Sequence, residues 1–362
     1  MPEFVVRVPH DTPAEPLFLA GDGDRFGHWR AAGVPLEPGG DGTFRVRLDL
    51  PDGEPHRFLV TRGHWRRAEA DGTGRERAPR RVVPRGPGTL DVAVAGWGRT
   101  SVRYHHGFGS RFVTQPRTLA VYLPPGYDLE PARRFPVLYL HDGQNLFDAF
   151  TAFAGVPWGV DETTERAVRS GGVRPVVIVG VANSPDRLHE YGPQPGPDDR
   201  SRDYARFLVD EVKPFVDRTY RTLPDPAETG VGGSSMGGLI SLYLCRWRPD
   251  VFGRCAAMSP SLWWDDAAFL RTLGADPDWL RTCRIWLDMG GREGATEASR
   301  RGNVRRARAL ARLLRRARAD YHYCEDPHGG HDEAAWGWRF DPMLRFLLPQ
   351  PPDRGYSLPA SL

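Results

Sequence analysis

Hydrophobic and polar positions follow two different rhythms along this chain. Up to about residue 97 the apolar stretches are short, and several alternate with polar residues: FVVRV (4–8), PLFLAG (16–21), TFRVRLDL (43–50), HRFLVTRG (56–63) and TLDVAVAG (89–96). PGGDGT and PDGEP lie between them and supply turn chemistry. No long helical periodicity interrupts this half. The pattern predicts a small all-β, immunoglobulin-like sandwich.

From about residue 103 the rhythm changes. Runs apolar on both faces recur: TLAVYLP (118–124), FPVLYLHDG (135–143), PVVIVGVAN (175–183), ETGVGGSS (228–235), GRCAAMSPS (253–261), CRIWLDMGG (283–291) and DYHYCED (320–326). Longer helical stretches separate them, among them SRDYARFLVDEVKPFVDRTY, GGLISLYLCRWR and RRGNVRRARALARLLRRARA. Strands apolar on both faces need helices on both sides, so the pattern predicts an α/β domain with a mostly parallel sheet. In the arginine-rich stretch Val304, Ala307, Leu310, Ala311 and Leu314 form one apolar stripe, which leaves its charges on a solvated face. The expected organisation is a β-sandwich over 1–97, an α/β domain over 98–350 and an irregular, proline-rich tail over 351–362.

Composition narrows the function classes. The chain has 362 residues, 40% of them apolar, enough for a substantial core. Lys and Arg (49) nearly balance Asp and Glu (46), leaving a net charge of +3 that argues against a nucleic-acid partner. Four cysteines occur without a C-x-x-C pair, so they read as free, buried thiols rather than a zinc or redox motif. The first residues lack a basic start followed by an apolar run, and no apolar stretch reaches membrane-spanning length. The expectation is a soluble, cytoplasmic protein with no membrane partner.

The chemistry concentrates in GVGGSSMGG (230–238). A phosphate-binding G-x-x-x-x-G-K-[ST] fails because Lys213, the single lysine, lies upstream. G-x-G-x-x-G fails because its last position falls on Ser235. The nucleophile elbow G-x-S-x-G fits in one register, Gly233-Ser234-Ser235-Met236-Gly237, with a strand before it and a helix after it. That makes Ser235 the candidate nucleophile and Ser234 a spacer.

A serine hydroxyl needs a base, and in this arrangement the acid and then the histidine follow the serine. HGGHDEAAW offers His328 and His331, and His331, just before a helical run, is the better placed. LDMGGREG offers Asp288 within the strand and Glu293 on the loop beyond it; the loop position favours Glu293. The two backbone donors of an oxyanion hole fall on Met236, after the nucleophile, and Gln144, in the loop after LYLHDG. A metal site built from His141, Asp142 and His331 is the alternative, although the spacing matches no standard motif.

Together LHDGQNLFD, GGSSMGGL, SPSLWW, LDMGGREG and HGGHDEAAW resemble the esterase D and enterochelin-esterase branch of the α/β-hydrolases, over about 103–349. The resemblance implies an α/β-hydrolase fold with Ser235 as nucleophile, Glu293 as acid, His331 as base, oxyanion donors at Met236 and Gln144, and Asp142 near the substrate. It implies a serine carboxylic-ester hydrolase that needs no metal or organic cofactor, acting on a small siderophore-type or sugar-linked ester. Arg187 could meet an anionic substrate or pair with Glu190, and Trp263 and Trp264 could wall the acyl pocket or pack in the core.

The first hundred residues resemble a starch-binding-type carbohydrate module. There Trp29 and Trp65 either stack on sugar rings or only pack the sandwich or face the esterase site. Acyl transfer through the same acyl-enzyme, or a non-catalytic glycan-binding protein with a silent hydrolase fold, are the rival functions.

Overall fold

The structure is a computed structural model, and it describes residues 1–10, 12, 15–39, 42–71, 77–98, 102–273 and 278–351. Of the predicted irregular tail, residues 352–362 lie outside the described residues.

The larger part is organised by one eight-stranded sheet. Its strands in chain order are β1 (Val102–Phe108), β2 (Arg117–Tyr122), β3 (Val137–His141), β4 (Val177–Val181), β5 (Thr229–Ser234), β6 (Arg254–Met258), β7 (Arg284–Gly290) and β8 (Asp320–Asp326). In space they run β1-β2-β4-β3-β5-β6-β7-β8. β2 is antiparallel to both of its neighbours, whereas every pairing from β4 to β8 is parallel. This is an α/β-hydrolase-like fold.

Every residue of β3, β4 and β5 is buried, which explains their unbroken apolar runs. Alternate residues feed two separate cores. Val137 and Tyr139 face one side with Leu239, Leu310 and Leu314, while Leu138 and Leu140 face the other with Val168, Phe340 and Leu344. The arginine-rich helix Glu297–Arg316 buries Ala307, Leu310, Ala311 and Leu314 of the expected stripe, with Val304 only half-buried. β1 was not expected from sequence. It is an edge strand reading VRYHHGF, mostly exposed, with no apolar rhythm to betray it.

Residues 3–93 contribute two four-stranded sheets. One contains Glu3–Arg7, Thr43–Arg47 and Thr89–Ala93, the other Phe18–Gly21, His56–Thr61 and Arg80–Val82. Phe4, Val6 and Val92 from the first meet Leu19, Phe58 and Val60 from the second in one apolar core.

Trp29 and Trp65 do not offer exposed platforms for sugar rings. They are 2% and 6% exposed and cluster with Ala20 and Leu59, which point away from that core. Their rings lie 5.5 and 5.1 Å from the guanidinium of Arg169, at the end of helix Val160–Arg169. The Trp65 backbone N–H also donates to Glu162 of the same helix at 3.2 Å. The indoles are consumed by the contact between the two parts of the molecule, so of the two readings open for them, stacking on sugar gives way to packing.

Among the described residues no helix is long and apolar enough to cross a membrane. Cys245, Cys255 and Cys283 are buried free thiols, and Cys324, also free, is half-buried.

Candidate active site

Ser235 stands between the last residue of β5, Ser234, and the first residue of helix Met236–Trp247. Its backbone, at φ 57° and ψ −120°, is in a region that non-glycine residues rarely enter. Gly233 and Gly237 permit this turn. A Cβ on Gly233 would stand 3.1 Å from the His141 Cβ and 3.2 Å from the Gly237 backbone, and one on Gly237 would meet the same His141 Cβ at 3.2 Å. The Ser235 N–H donates to the Met258 carbonyl at 3.0 Å and ties the turn to β6. Ser234 stays in the sheet, buried and in register with Met258.

The turn aims the Ser235 hydroxyl at His331. Its Oγ lies 2.9 Å from His331 Nε2, and His331 Nδ1 lies 2.8 Å from Glu293 Oε2. The structure therefore brings Ser235, His331 and Glu293 into one hydrogen-bonded line. His331 is held by the loop before helix Glu333–Leu347, whose Asp332 caps the Ala335 N–H at 2.9 Å. The Trp336 ring meets the imidazole edge to face, with centroids 4.9 Å apart. His328 is exposed and 3.3 Å from Arg292 Nη2, outside this line.

The two acid candidates are both buried but differently engaged. Glu293, three residues past β7, turns one oxygen to His331; the other accepts from the Gly290 N–H at 2.7 Å and from the Ser259 hydroxyl. Asp288, inside β7, accepts from the Ser259 N–H at 3.0 Å and from Trp286 Nε1 at 2.7 Å, and burial pushes its carboxyl up. Arg339 lies between them, with Nη1 at 2.8 Å from Asp288 and Nη2 at 3.3 Å from Glu293.

Met236 and Gln144 both sit in the first turn of a helical segment, the elbow helix and the short turn Gly143–Asn145. Backbone N–H groups there have no acceptor within their own segment. The β3 end that carries the Gln144 loop abuts the elbow, because His141 touches both glycine positions. Gln144 is fixed by two further bonds: its side-chain oxygen accepts from the Asn183 N–H at 3.1 Å, and its carbonyl from Thr151 Oγ1 at 2.8 Å.

The Arg187–Glu190 pair is absent. Arg187 forks onto Asp142 through Nε and Nη2, both at 2.7 Å, while Glu190 pairs with the buried Arg117. A single helical turn aims the two side chains at different partners, and Asp142 is buried and in need of a counter-charge. Arg187 thus arrives at the site already neutralised.

The alternative metal set does not converge. His141 is buried, its Nδ1 2.7 Å from the Tyr204 hydroxyl, and burial pushes its imidazole down to about 3, so it is neutral. Asp142 is engaged by Arg187 and His331 by Ser235 and Glu293. Among the described residues no three His, Cys, Asp or Glu side chains are grouped to hold a metal ion.

Trp263 is 49% exposed beside Ser261, whose Oγ lies 3.2 Å from Ser235 Oγ. Trp264 is wedged under the Gly192–Pro193 turn, its Nε1 donating to the Pro193 carbonyl at 3.0 Å. Sequence reasoning missed Ser259, Ser261 and Arg339. It also missed Phe150 and Phe153, exposed on a segment tied to the Gln144 loop by the Phe153 N–H on Asn145 Oδ1 at 3.0 Å. The SPS stretch after β6 was a usable signal for the serines; nothing local marked Arg339 as buried.

Residues 110–347 match the family model described as "Esterase: Putative esterase". Among curated proteins, YbbA of Bacillus subtilis (strain 168) is 28% identical over 51% of this chain and 71% of its own length. The iron(III) salmochelin esterase of Escherichia coli O6:H1 is 26% identical over 61% of this chain and 51% of its own. The ferri-bacillibactin esterase BesA of Bacillus subtilis is 27% identical over 44% and 56%. The chain thus spans about half the length of these two siderophore esterases. Among solved structures, the enterobactin esterase FES of Shigella flexneri superposes with a TM-score of 0.55 at 17% identity, covering 95% of this chain and 92% of that one. A ferulic acid esterase matches with a TM-score of 0.55 at 21% identity over 68% of this chain and 97% of that one. At these identities the structural matches speak for the fold.

Proposed function

The chain belongs to the Esterase family, and from that premise we propose that it hydrolyses carboxylic esters through an acyl-enzyme on Ser235. The observation that carries this reading is the line Ser235 Oγ–His331 Nε2–His331 Nδ1–Glu293 Oε2, with steps of 2.9 and 2.8 Å. With Nδ1–H donated to the Glu293 carboxylate, Nε2 keeps a free lone pair. It takes the Ser235 proton as Oγ bonds to the ester carbonyl carbon. The oxyanion that forms is met by the N–H groups of Met236 and Gln144. Collapse breaks the bond to the alcohol oxygen, which receives the proton from Nε2. Water then repeats the cycle on the acyl-serine and releases the acid.

The half-exposed Trp263 and the exposed Phe150 and Phe153 favour an apolar or aromatic group on the substrate. The names of the relatives point to siderophore esters or aromatic acyl esters as the class. Residues 98–350 are the unit to which we assign this activity. Residues 1–97, with one core between two sheets, form a separate immunoglobulin-like sandwich in this reading.

The test is turnover of p-nitrophenyl acetate by wild type and Ser235→Ala. The wild type should show a burst followed by turnover, and the variant neither. Equal rates would overturn the proposal.

A further inference from the structure

Behind Glu293 lies a buried set of groups that the reaction scheme does not use. Ser259, at φ 42°, has its N–H on Asp288 Oδ1 at 3.0 Å and its hydroxyl on Glu293 Oε1. That hydroxyl oxygen accepts from Arg339 Nη2 at 3.0 Å and from Trp336 Nε1 at 3.1 Å. A hydroxyl has one proton and two lone pairs. With both lone pairs taken by fixed donors, its proton goes to a carboxylate, and Glu293 Oε1 is the nearer of the two in reach, Asp288 Oδ1 lying 3.4 Å away. Arg339 is itself held between two carboxylates, 2.8 Å from Asp288 and 3.3 Å from Glu293. All four of these polar side chains are at least nine-tenths buried.

We propose that Arg339, acting on Glu293 both directly and through Ser259, is a positioning residue for the Glu293–His331 pair, and that Asp288 is the counter-charge that seats Arg339. The inference rests on the reading of Ser235, His331 and Glu293 given above.

The physical reason is that a glutamate carboxylate turns easily about its last torsion. Three donors on Oε1, from Gly290, Ser259 and Arg339, stop that rotation and leave Oε2 aimed at the imidazole. The cation has a second consequence. Without it two buried carboxylates would share one serine with no positive charge between them, and one would take up a proton. A proton on either carboxylate breaks up the set of bonds that fixes Glu293 Oε1, and with it the aim of Oε2 at the Nδ1–H that leaves Nε2 free to accept from Ser235. Losing the arginine should therefore move the acid limb of activity to higher pH, not merely lower the plateau.

The experiment is steady-state hydrolysis of p-nitrophenyl acetate between pH 5 and 9 by wild type, Arg339→Met, Arg339→Lys, Ser259→Ala and Ser235→Ala. Arg339→Met should lose about 100-fold in kcat with KM within about twofold, and its acid midpoint should rise by about one pH unit. Arg339→Lys, which keeps the charge but not the fork, should lose about tenfold with the midpoint near that of wild type. Ser259→Ala should lose about tenfold in kcat. Folded fraction is measured by near-UV circular dichroism. If Arg339→Met does not fold, Arg339→Gln, which also removes the charge but keeps a polar group, takes its place with the same two readouts. Folded variants with wild-type midpoint and kcat within about threefold of wild type would overturn the proposal. Such variants beside a dead Ser235→Ala defeat this inference alone; an active Ser235→Ala defeats the nucleophile assignment beneath it.

Discussion

Arg169 and Arg339 are both buried, and both engage glutamate, yet they do opposite work. Arg169 meets Glu165 of its own helix at 2.6 Å and presses its guanidinium against the rings of Trp29 and Trp65. Glu165 gives its other oxygen to the Tyr122 hydroxyl at 2.8 Å. All these partners are inert, so the arginine joins the N-terminal sheets to the α/β part. Arg339 is shared by Asp288, Glu293 and Ser259, and one of those partners turns its free oxygen to His331. The same side chain, equally buried, is glue in one place and a pointer in the other. The difference lies in whether its carboxylate has an oxygen left for a group that reacts.

The sharpest way to break that contrast is to change the two glutamates. Glu293→Gln should keep the shape of the site but present an amide to Nδ1. The tautomer then reverses and Nε2 carries a proton. We expect kcat to fall about 10⁴-fold, equivalent to about 5.5 kcal/mol, with little change in stability. A Glu293→Gln enzyme that keeps its rate would make Glu293 as inert as Glu165.

Next in size is Arg169→Met. Removing the cation leaves Glu165 buried without its counter-charge and strips the two indoles of their cation, and should cost about 3 kcal/mol in urea denaturation. Turnover by the folded fraction should stay within about threefold of wild type. A large loss of kcat would show that helix Val160–Arg169 transmits its position to the Gln144 loop. Backbone bonds at the near end of the helix offer such a route, from the Trp158 N–H to Asn145 and from the Val160 N–H to Leu146.

A third test separates the two regions by pH. Burial depresses the His141 imidazole from 6.5 to about 3, with Asp142 and Arg187 pulling in opposite directions. In the unfolded chain the ring protonates as pH falls through 6.5; in the folded protein it does so only near 3. Stability tied to this residue is complete above pH 6.5 and is lost as pH falls toward 3. Between pH 7 and 5 the loss is about 2 kcal/mol. In His141→Gln the drop over that window should shrink by this amount, as followed by denaturation at the two pH values. An unchanged slope would place the acid sensitivity elsewhere.

The sequence made some of this legible and concealed the rest, for reasons that can be named. Strands β3, β4, β6 and β7 carry apolar residues on both faces and read as strands covered on both sides, whereas β5, TGVGGS, is marked by its glycines. The elbow could be placed because two glycines two residues from Ser235 make room that any Cβ would fill. Asp288 and Glu293 could be separated only by whether each lay in or beyond a strand. Arg339 had no signature: it is one of many arginines, and burial on one side of a helix is a tertiary fact. Trp29 and Trp65 stayed undecided because an aromatic ring in a β-rich module serves equally to stack on sugar or to cover a neighbour. The helix that covers them lies about a hundred residues away in sequence, at Val160–Arg169.

The smallest expected effect tests the contrast most closely. Ser259 and Ser261 flank Pro260, and both hydroxyls touch the site, but only Ser259 joins the arginine. Ser261 Oγ lies 3.2 Å from Ser235 Oγ, against 2.9 Å for His331 Nε2, so in the resting enzyme it competes weakly for the nucleophile's proton. Its structural tie to the elbow is a backbone bond, from the Ser261 N–H to the Ser235 carbonyl at 3.0 Å, which alanine preserves. Ser261→Ala should therefore change kcat by less than about threefold, with no shift of the acid limb. If it lost as much kcat as Ser259→Ala, any hydroxyl on this loop would serve. The pointing of Glu293 would then owe nothing in particular to Arg339.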